Sequence, residues 1–307
     1  MSIVVNTNVA SMNAQRSLMS SGRELQNAME RLSTGKKINS ASDDAAGFAI
    51  AESMTAQIRG LSMAAKNASD ALGLLKVVEN ATNDVTDMLQ RIRELAVQAQ
   101  SGTNSAGDVA NLQQEANALI DEINRVSEDT TYNGVAYIGS EKGTKNIQVG
   151  YNDGDSISIT TYDIGAENLG AMVADAEDVD SDAATTEVLV ALKSSAGYLD
   201  ISQTAEAAVA GTSNRVPGAL EVISGAIDQL ASYKAEWGAD QNRLEYTVSN
   251  LMNVVEFTTA ARSRIQDADF AVEAARLAKS QVLQQTGTAM LAQANRTSQS
   301  ILSLLQN

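Results

Sequence analysis

The stretch MTAQIRGLSMAAKNASDALGLL, residues 54–75, decides the fold. Its apolar side chains fall at Met54, Ile58, Leu61, Ala65, Ala68, Leu72 and Leu75, alternately four and three residues apart. That spacing draws one apolar seam down an α-helix. The seam runs on through Val85, Leu89, Ile92, Ala96 and Ala99, and resumes at Val109, Leu112, Ala116, Leu119, Ile123 and Val126. It returns near the other end at Leu220, Ile223, Ile227, Leu230, Trp237, Leu244, Val248, Leu251 and Val255. Such a seam must be covered by another helix, from the same chain or from a neighbour. The chain is therefore expected to be mainly α and built to pack against helices, which points to a structural role.

Composition supports that reading. Among 307 residues there is no Cys and no His, one Pro and one Trp, and aromatics make up 4%. A core of Leu, Ile, Val, Ala and Met suits slender helix bundles. Without Cys there are no disulfides, thiolate nucleophiles or zinc–thiolate sites. Without His, the side chain that titrates nearest neutrality and the commonest metal ligand are both missing. Acid–base catalysis would have to come from a strongly shifted Asp, Glu, Lys or Tyr, so no enzyme, cofactor or metal site is expected.

The net charge of −16 argues against a nucleic-acid partner. It is unevenly spread. Residues 163–200 hold nine acids against Lys193 alone, whereas residues 1–40 hold five bases against Glu24 and Glu30. The acidic middle reads as water-facing and the basic, thinly striped ends as contact surfaces. No run of 18 apolar residues exists, so no membrane span is expected. The N-terminus lacks the charged and apolar regions of a cleaved secretory signal.

Along the chain, residues 1–34 read as helical, with Leu18, Leu25 and Leu32 seven apart. Residues 270–305 place Phe270, Leu277, Leu291 and Leu305 on one seven-residue frame, and Leu283, Met290 and Leu304 on another. Both stripes are narrow, and packing supplies most helix stability. Two readings stand: frayed terminal helices, or helices that order only when paired with each other and with copies of the chain. Gly35 to Ser40 breaks the first helix, and Ser42 is expected to cap the next, with Asp43 and Asp44 in its first turn. A helix is expected over about 108–127, ending before the Asn133-Gly134 turn signal. Alternation over 146–151 and 156–162, around Asn152 to Asp155, reads as a β-hairpin. Residues 165–215 are the least decided, with short helices expected near 186–194 and 203–210, and Pro217 suits the first turn of the returning helix.

Constellations for chemistry fail one by one. Asp178-Val-Asp180-Ser-Asp182 starts like a calcium loop, but the sixth position is Ala183 and the twelfth Leu189. No Gly-rich phosphate loop is present. Lys279 and Ser280 are adjacent on a helix, so their side chains diverge.

Several of these stretches carry a family likeness. Leu32-Ser-Thr-Gly-Lys-Lys-Ile-Asn-Ser-Ala-Ser-Asp-Asp-Ala-Ala-Gly47 and Leu89-Gln-Arg-Ile-Arg-Glu-Leu-Ala-Val-Gln98 resemble the N-terminal region of bacterial flagellins. Gln241 to Tyr246, Ser263 to Asp269, Leu291 to Asn295 and Ile301 to Leu305 resemble their C-terminal region. The likeness covers about 1–150 and 198–307. Phe48 stands where the family more often has a polar residue, and Trp237 where a small aliphatic is usual.

The resemblance implies a subunit that polymerises into the flagellar filament for motility; a hook-filament junction or related axial protein is the alternative. It implies a long antiparallel helical bundle or coiled coil formed by both chain ends, with a small β-hairpin region in mid-sequence. The expected divisions are an inner terminal coiled coil of 1–43 with 270–307, and a helical bundle of 44–165 with 198–269. Residues 166–197 are expected as a short acidic outward segment rather than a domain. Implied partners are the chain itself, the flagellar secretion chaperone, the filament cap and hook-junction proteins, and a Toll-like innate receptor of animals. Leu18, Leu25, Leu32, Leu283, Met290, Leu291, Ile301, Leu302 and Leu305 are the expected subunit contacts. By resemblance, Gln90, Arg91, Leu95 and Glu115 are the receptor-binding positions. The implied location is the extracellular filament, reached through the flagellar type III route without a cleaved signal.

Overall fold

The computed structural model describes residues 8–174, 187–194, 197–204 and 218–305. Five helices carry it: α1 (Val9–Thr34), α2 (Ala45–Ala99), α3 (Ala106–Asp129), α4 (Ala219–Gln266) and α5 (Phe270–Leu305). Among the described residues between α3 and α4 are six short strands: β1 (Gly143–Gln148), β2 (Ser156–Thr161), β3 (Gly170–Ala174), β4 (Glu187–Ala191), β5 (Lys193–Ser194) and β6 (Gly197–Tyr198). They pair as three separate antiparallel hairpins, β1–β2, β3–β4 and β5–β6. The chain divides into two compact units, 60–252 and 1–59 with 253–307.

In the unit 60–252, α2 contributes two buried stripes. The expected one holds Leu61, Ala68, Leu75, Val85, Leu89, Ile92, Ala96 and Ala99; a second holds Ala64, Ala71, Leu74, Val78, Ala81 and Leu95. A helix buried on two stripes has two partners to cover it. From α3 come Ala116, Ile120 and Ile123; from α4 come Val222, Ile223, Ala226, Leu230, Trp237 and Leu244. α3 starts with a capping box: the Ser105 hydroxyl accepts from the Asp108 N–H, and the Asp108 carboxylate accepts from the Ser105 N–H.

The β1–β2 hairpin forms as its alternation demands, Ile147 opposite Ile157 and Gln148 opposite Ser156. Ile157, Ile159 and Thr161 point into the core. Trp237 fills the space behind them, 1% exposed, its indole N–H donating to the Thr160 carbonyl at 2.8 Å. Beside it the rings of Tyr162 and Tyr233 stack at 4.0 Å. The Tyr162 hydroxyl donates to Glu236, and that carboxylate together with burial pushes its pKa up to about 12.

The helix expected near 186–194 is instead strand. Glu187 to Ala191 pairs with Gly170 to Ala174, Ala191 opposite Gly170. The sequence Val188-Leu-Val190 is β-branched at alternate positions, which favours a pleated strand over a helix. The short helix expected near 203–210, Pro217 and the Asp178–Asp182 string lie outside the described residues, except for Gln203 and Thr204. The flanks of the acidic centre are anchored: Ala166, Leu169, Leu192, Leu199 and Ile201 are buried in the bundle core.

In the terminal unit, α1 and α5 pack against each other. α1 stops at Gly35, whose φ of +70° is the left-handed conformation that glycine adopts freely, its N–H donating to the Arg31 carbonyl. The chain is then stitched to the α4–α5 junction: Lys37 N–H donates to Gln266 O at 2.7 Å, and Ala268 N–H to Gly35 O at 2.9 Å. Ser42 does not cap α2. Asp44 does, accepting from the Gly47 N–H at 3.0 Å, while Asp43 accepts from the N–H groups of Asn39 and Ser40 and ties the preceding loop. Those hydrogen bonds hold the Asp43 carboxyl below its usual pKa.

Candidate assembly surfaces

The α1–α5 seam follows a heptad on both helices. On α1 it runs Ser11, Ala14, Leu18, Ser21, Leu25, Ala28, Leu32; all are buried or half-buried. On α5 it runs Glu273, Leu277, Ser280, Gly287, Leu291, Ala294, again buried or half-buried, with exposed Gln284 the one break. Leu18 sits over Gly287, where an added β-carbon would come within 3.0 Å of the Leu18 Cδ1. At one end, Asn8 Nδ2 donates to Ala294 O at 3.1 Å and Ser11 Oγ to Asn295 Oδ1 at 2.9 Å.

The expected contact residues separate into two groups. Leu18, Leu25, Leu32 and Leu291 lie half-buried in the seam within one chain. Leu283 and Met290, the second frame, are exposed. Ile301, Leu302 and Leu305 continue the α5 backbone, and their side chains lie outside the described residues. Further exposed apolar residues that heptad reading missed are Val9, Met12, Met19 and Met29 on α1, and Val272 and Val282 on α5. Their signal in the sequence was apolar residues off the main stripe of an otherwise polar helix.

One residue of the seam was also missed. Glu273 is 4% exposed and its Oε1 accepts from Arg276 Nη1 at 2.8 Å and Arg31 Nη1 at 3.3 Å. The sequence signal was available: Glu273 stands seven residues before Ser280 on the buried line.

On the other unit, Gln90, Arg91 and Glu115 are exposed, Arg91 and Glu115 facing each other across α2 and α3 and Gln90 lining a groove with Val97 and Ile227. Arg91 donates through Nη2 and Nε to Glu115 Oε1 at 2.8 and 3.0 Å, and through Nη1 to Glu94 at 2.9 Å. Both carboxylates, Glu115 first, hold the guanidinium above its ordinary pKa. Leu95 does not share this face. It is 1% exposed and packs in the bundle core, because the position four residues after Arg91 falls on the second buried stripe of α2.

A polar cleft of about 720 Å³ lies beside α3, lined by Asp121, Asn124, Arg125, Asp163 and Lys193 among others. Several of its charges are paired. Lys193 reaches Asp121 at 2.8 Å, Lys142 reaches Asp163 at 3.0 Å, and Arg125 reaches Glu122 and Asp129. Such pairing holds those side chains in place and keeps Asp121 ionised, its carboxyl below the usual pKa beside Lys193 and Tyr198. Among the described residues no group of three His, Cys, Asp or Glu could hold a metal ion, and no helix is long and apolar enough to cross a membrane.

Comparison with known proteins places these surfaces in context. The bacterial flagellin N-terminal helical region matches residues 5–138, and the bacterial flagellin C-terminal helical region matches residues 220–305. The chain is 40% identical to flagellin of Bacillus subtilis over 98% of its own length and 99% of that protein's. It is 35% identical to flagellin A of Vibrio anguillarum and 34% identical to flagellin A of Vibrio cholerae, over the full length of each pair.

Proposed function

This chain belongs to the bacterial flagellin family, and we propose that it polymerises by burying the outward apolar residues of α1 and α5 against sister copies. As a flagellin it is a structural subunit of the extracellular flagellar filament, and motility follows from the family. The observation that carries the contact reading is the second frame of α5. Leu283 and Met290, with Val282, stand exposed on a helix whose other stripe α1 already covers. Apolar residues gathered on one helix pair mark a contact surface.

In this reading the two chain ends, 1–43 and 270–307, line the filament channel. Segments 44–165 and 198–269 form the helical bundle, and the acidic residues between them are the part of the sequence best suited to water. The seam is built from half-buried Leu and small residues, so α1 and α5 order fully on assembly. The chain leaves the cell through the flagellar type III route. The secretion chaperone holds the end of α5 around Leu302 and Leu305 before export, and the cap and hook-junction proteins meet the same terminal helices. We read the chain as a structural subunit and not an enzyme: with neither Cys nor His, the commonest nucleophile and general base are missing.

Deleting residues 296–307 tests the contact reading. Seeded native chain pellets on ultracentrifugation; the shortened chain stays in the supernatant while its bundle melts at the native temperature. Filaments from the shortened chain would refute the role of the α5 end. Gln90, Arg91 and Glu115 supply an exposed polar face for a Toll-like receptor, with Leu95 supporting it from beneath. Arg91→Asp removes receptor signalling in reporter cells and leaves the circular dichroism spectrum unchanged; signalling at the native level would discard the site.

A further inference from the structure

We propose that the Arg31–Glu273 pair sets the axial register of α5 against α1. The apolar pattern alone leaves that register degenerate. On α1 a Leu recurs every seven residues at Leu18, Leu25 and Leu32, separated by the small residues Ser21 and Ala28. On α5, Leu277 and Leu291 alternate in the same way with Ser280, Gly287 and Ala294. A slide of seven residues therefore brings Leu against small residues once more, and the apolar contact changes little. Coiled coils resolve such ambiguity with a buried polar group, which is satisfied in one alignment alone.

Glu273 meets that requirement. Its side chain is 5% exposed and lies 3.3 Å from Arg31, whose side chain is 23% exposed. Arg276 lies on the same helix, three residues on, and accompanies Glu273 in any alignment. Arg31, on the opposite helix, is the side chain that distinguishes one register from another, and it adds to the Lys37–Gln266 and Ala268–Gly35 backbone bonds that hold the same end of the pair. Seven residues before it stands Glu24, so a slide in that direction puts carboxylate against carboxylate. A slide the other way carries Glu273 past Thr34, the last residue of α1. Either alignment leaves a buried charge without its cross-helix partner, which is strongly unfavourable. Glu273 and Arg31 are thus positioning residues for the terminal pair.

The chain has no Cys, so introduced pairs report the alignment without background. The contacts Leu18–Gly287 and Arg31–Glu273 run antiparallel and bring Leu25 opposite Ser280. Leu25→Cys with Ser280→Cys reads the native register. Leu18→Cys or Leu32→Cys, each with Ser280→Cys, reads a slide of seven residues. Each full-length variant is doped into filaments with native chain in excess, oxidised with diamide, and scored for the disulfide within one chain. With the clamp intact the native pair closes at least tenfold faster than either slid pair. Arg31→Glu or Glu273→Gln brings that ratio close to one, and Arg31→Lys keeps it. A tenfold preference that survives both Arg31→Glu and Glu273→Gln overturns the proposal and assigns register to the Lys37–Gln266 and Ala268–Gly35 backbone bonds and to Leu18 over Gly287 instead. If Arg31→Glu does not enter filaments, the isosteric Glu273→Gln decides. The inference rests on the assembly reading only for its sample. A native chain that never pellets sinks that reading, and the ratio is then taken on the soluble chain.

Discussion

The two units of this chain are both helical, yet they are built from different materials. In 60–252 the interior is dominated by large apolar side chains: Leu75, Leu89, Ile92, Ile120, Ile123 and Trp237 are each at most 1% exposed, with Thr82, Ser127 and Thr161 the buried polar residues among those described. In the terminal unit, α1 and α5 meet through half-buried Leu, two buried Ser and a buried Glu, with methionines and valines left facing out. Burial of large apolar side chains is the dominant stabilising term in folding. The bundle therefore has the interior of a self-sufficient fold, and the terminal pair has half of one. A structural subunit needs both: one part that folds before assembly, another whose stability waits for it.

That contrast is broken or sharpened by substitution. Leu89→Ala, at 0% exposure, destabilises the bundle by about 3 kcal/mol. Leu18→Ala in the seam costs the soluble chain less than about 1 kcal/mol, since its side chain is only half-buried there. Urea unfolding followed by Trp237 fluorescence measures the first and by far-ultraviolet circular dichroism the second, and equal costs would erase the distinction.

Trp237→Phe removes the indole donor from the Thr160 carbonyl and some packing volume, for a loss of about 2 kcal/mol in thermal unfolding. No loss would mean that the hairpin is not held through this residue. Leu283→Ser with Met290→Ser leaves the melting temperature of the bundle where it was. It raises the subunit concentration needed for polymerisation about tenfold, equivalent to about 1.4 kcal/mol. An unchanged critical concentration, read by light scattering, would take these two residues out of the subunit contact.

A small effect is expected at the α3 cap. Ser105→Ala costs about 1 kcal/mol. Hydrogen bonds from Ser105 hold the Asp108 carboxyl below its usual pKa, so the ionised form is the one the fold favours. Its contribution is present above about pH 4 and is lost as pH falls below that value. Asp108→Asn flattens that part of the acid limb of the stability curve; a native acid limb in the variant would contradict the capping role.

Periodicity made the helices legible because a buried stripe on a helix is a one-dimensional pattern. Met54 to Ala99 announced α2, and the alternation around Asn152 to Asp155 announced the β1–β2 hairpin. The strand 187–191 was not legible: five residues carry too short a period, and the partner that selects a strand, 170–174, lies across the acidic centre. The cap of α2 was misread by two residues because Ser42, Asp43 and Asp44 are all competent caps, and the loop's need for Asp43 decides among them. Leu95 was assigned to a surface by the family resemblance, together with Gln90, Arg91 and Glu115. The second stripe of α2 that buries it becomes visible only when both covering helices are in place. Glu273 shows the reverse failure: a charged residue is read as solvent-facing unless the heptad line through Leu277 and Ser280 is followed onto it.

Amide hydrogen exchange, resolved by segment, tests the central claim most directly. The soluble chain and the pelleted filament are compared over 9–34 and 270–296, with 60–99 as internal reference. Slow exchange in 60–99 in both samples, with protection of the two terminal segments rising at least a hundredfold on polymerisation, is the expected result (about 2.7 kcal/mol of added local stability). Terminal segments as protected in the soluble chain as in the filament would contradict it.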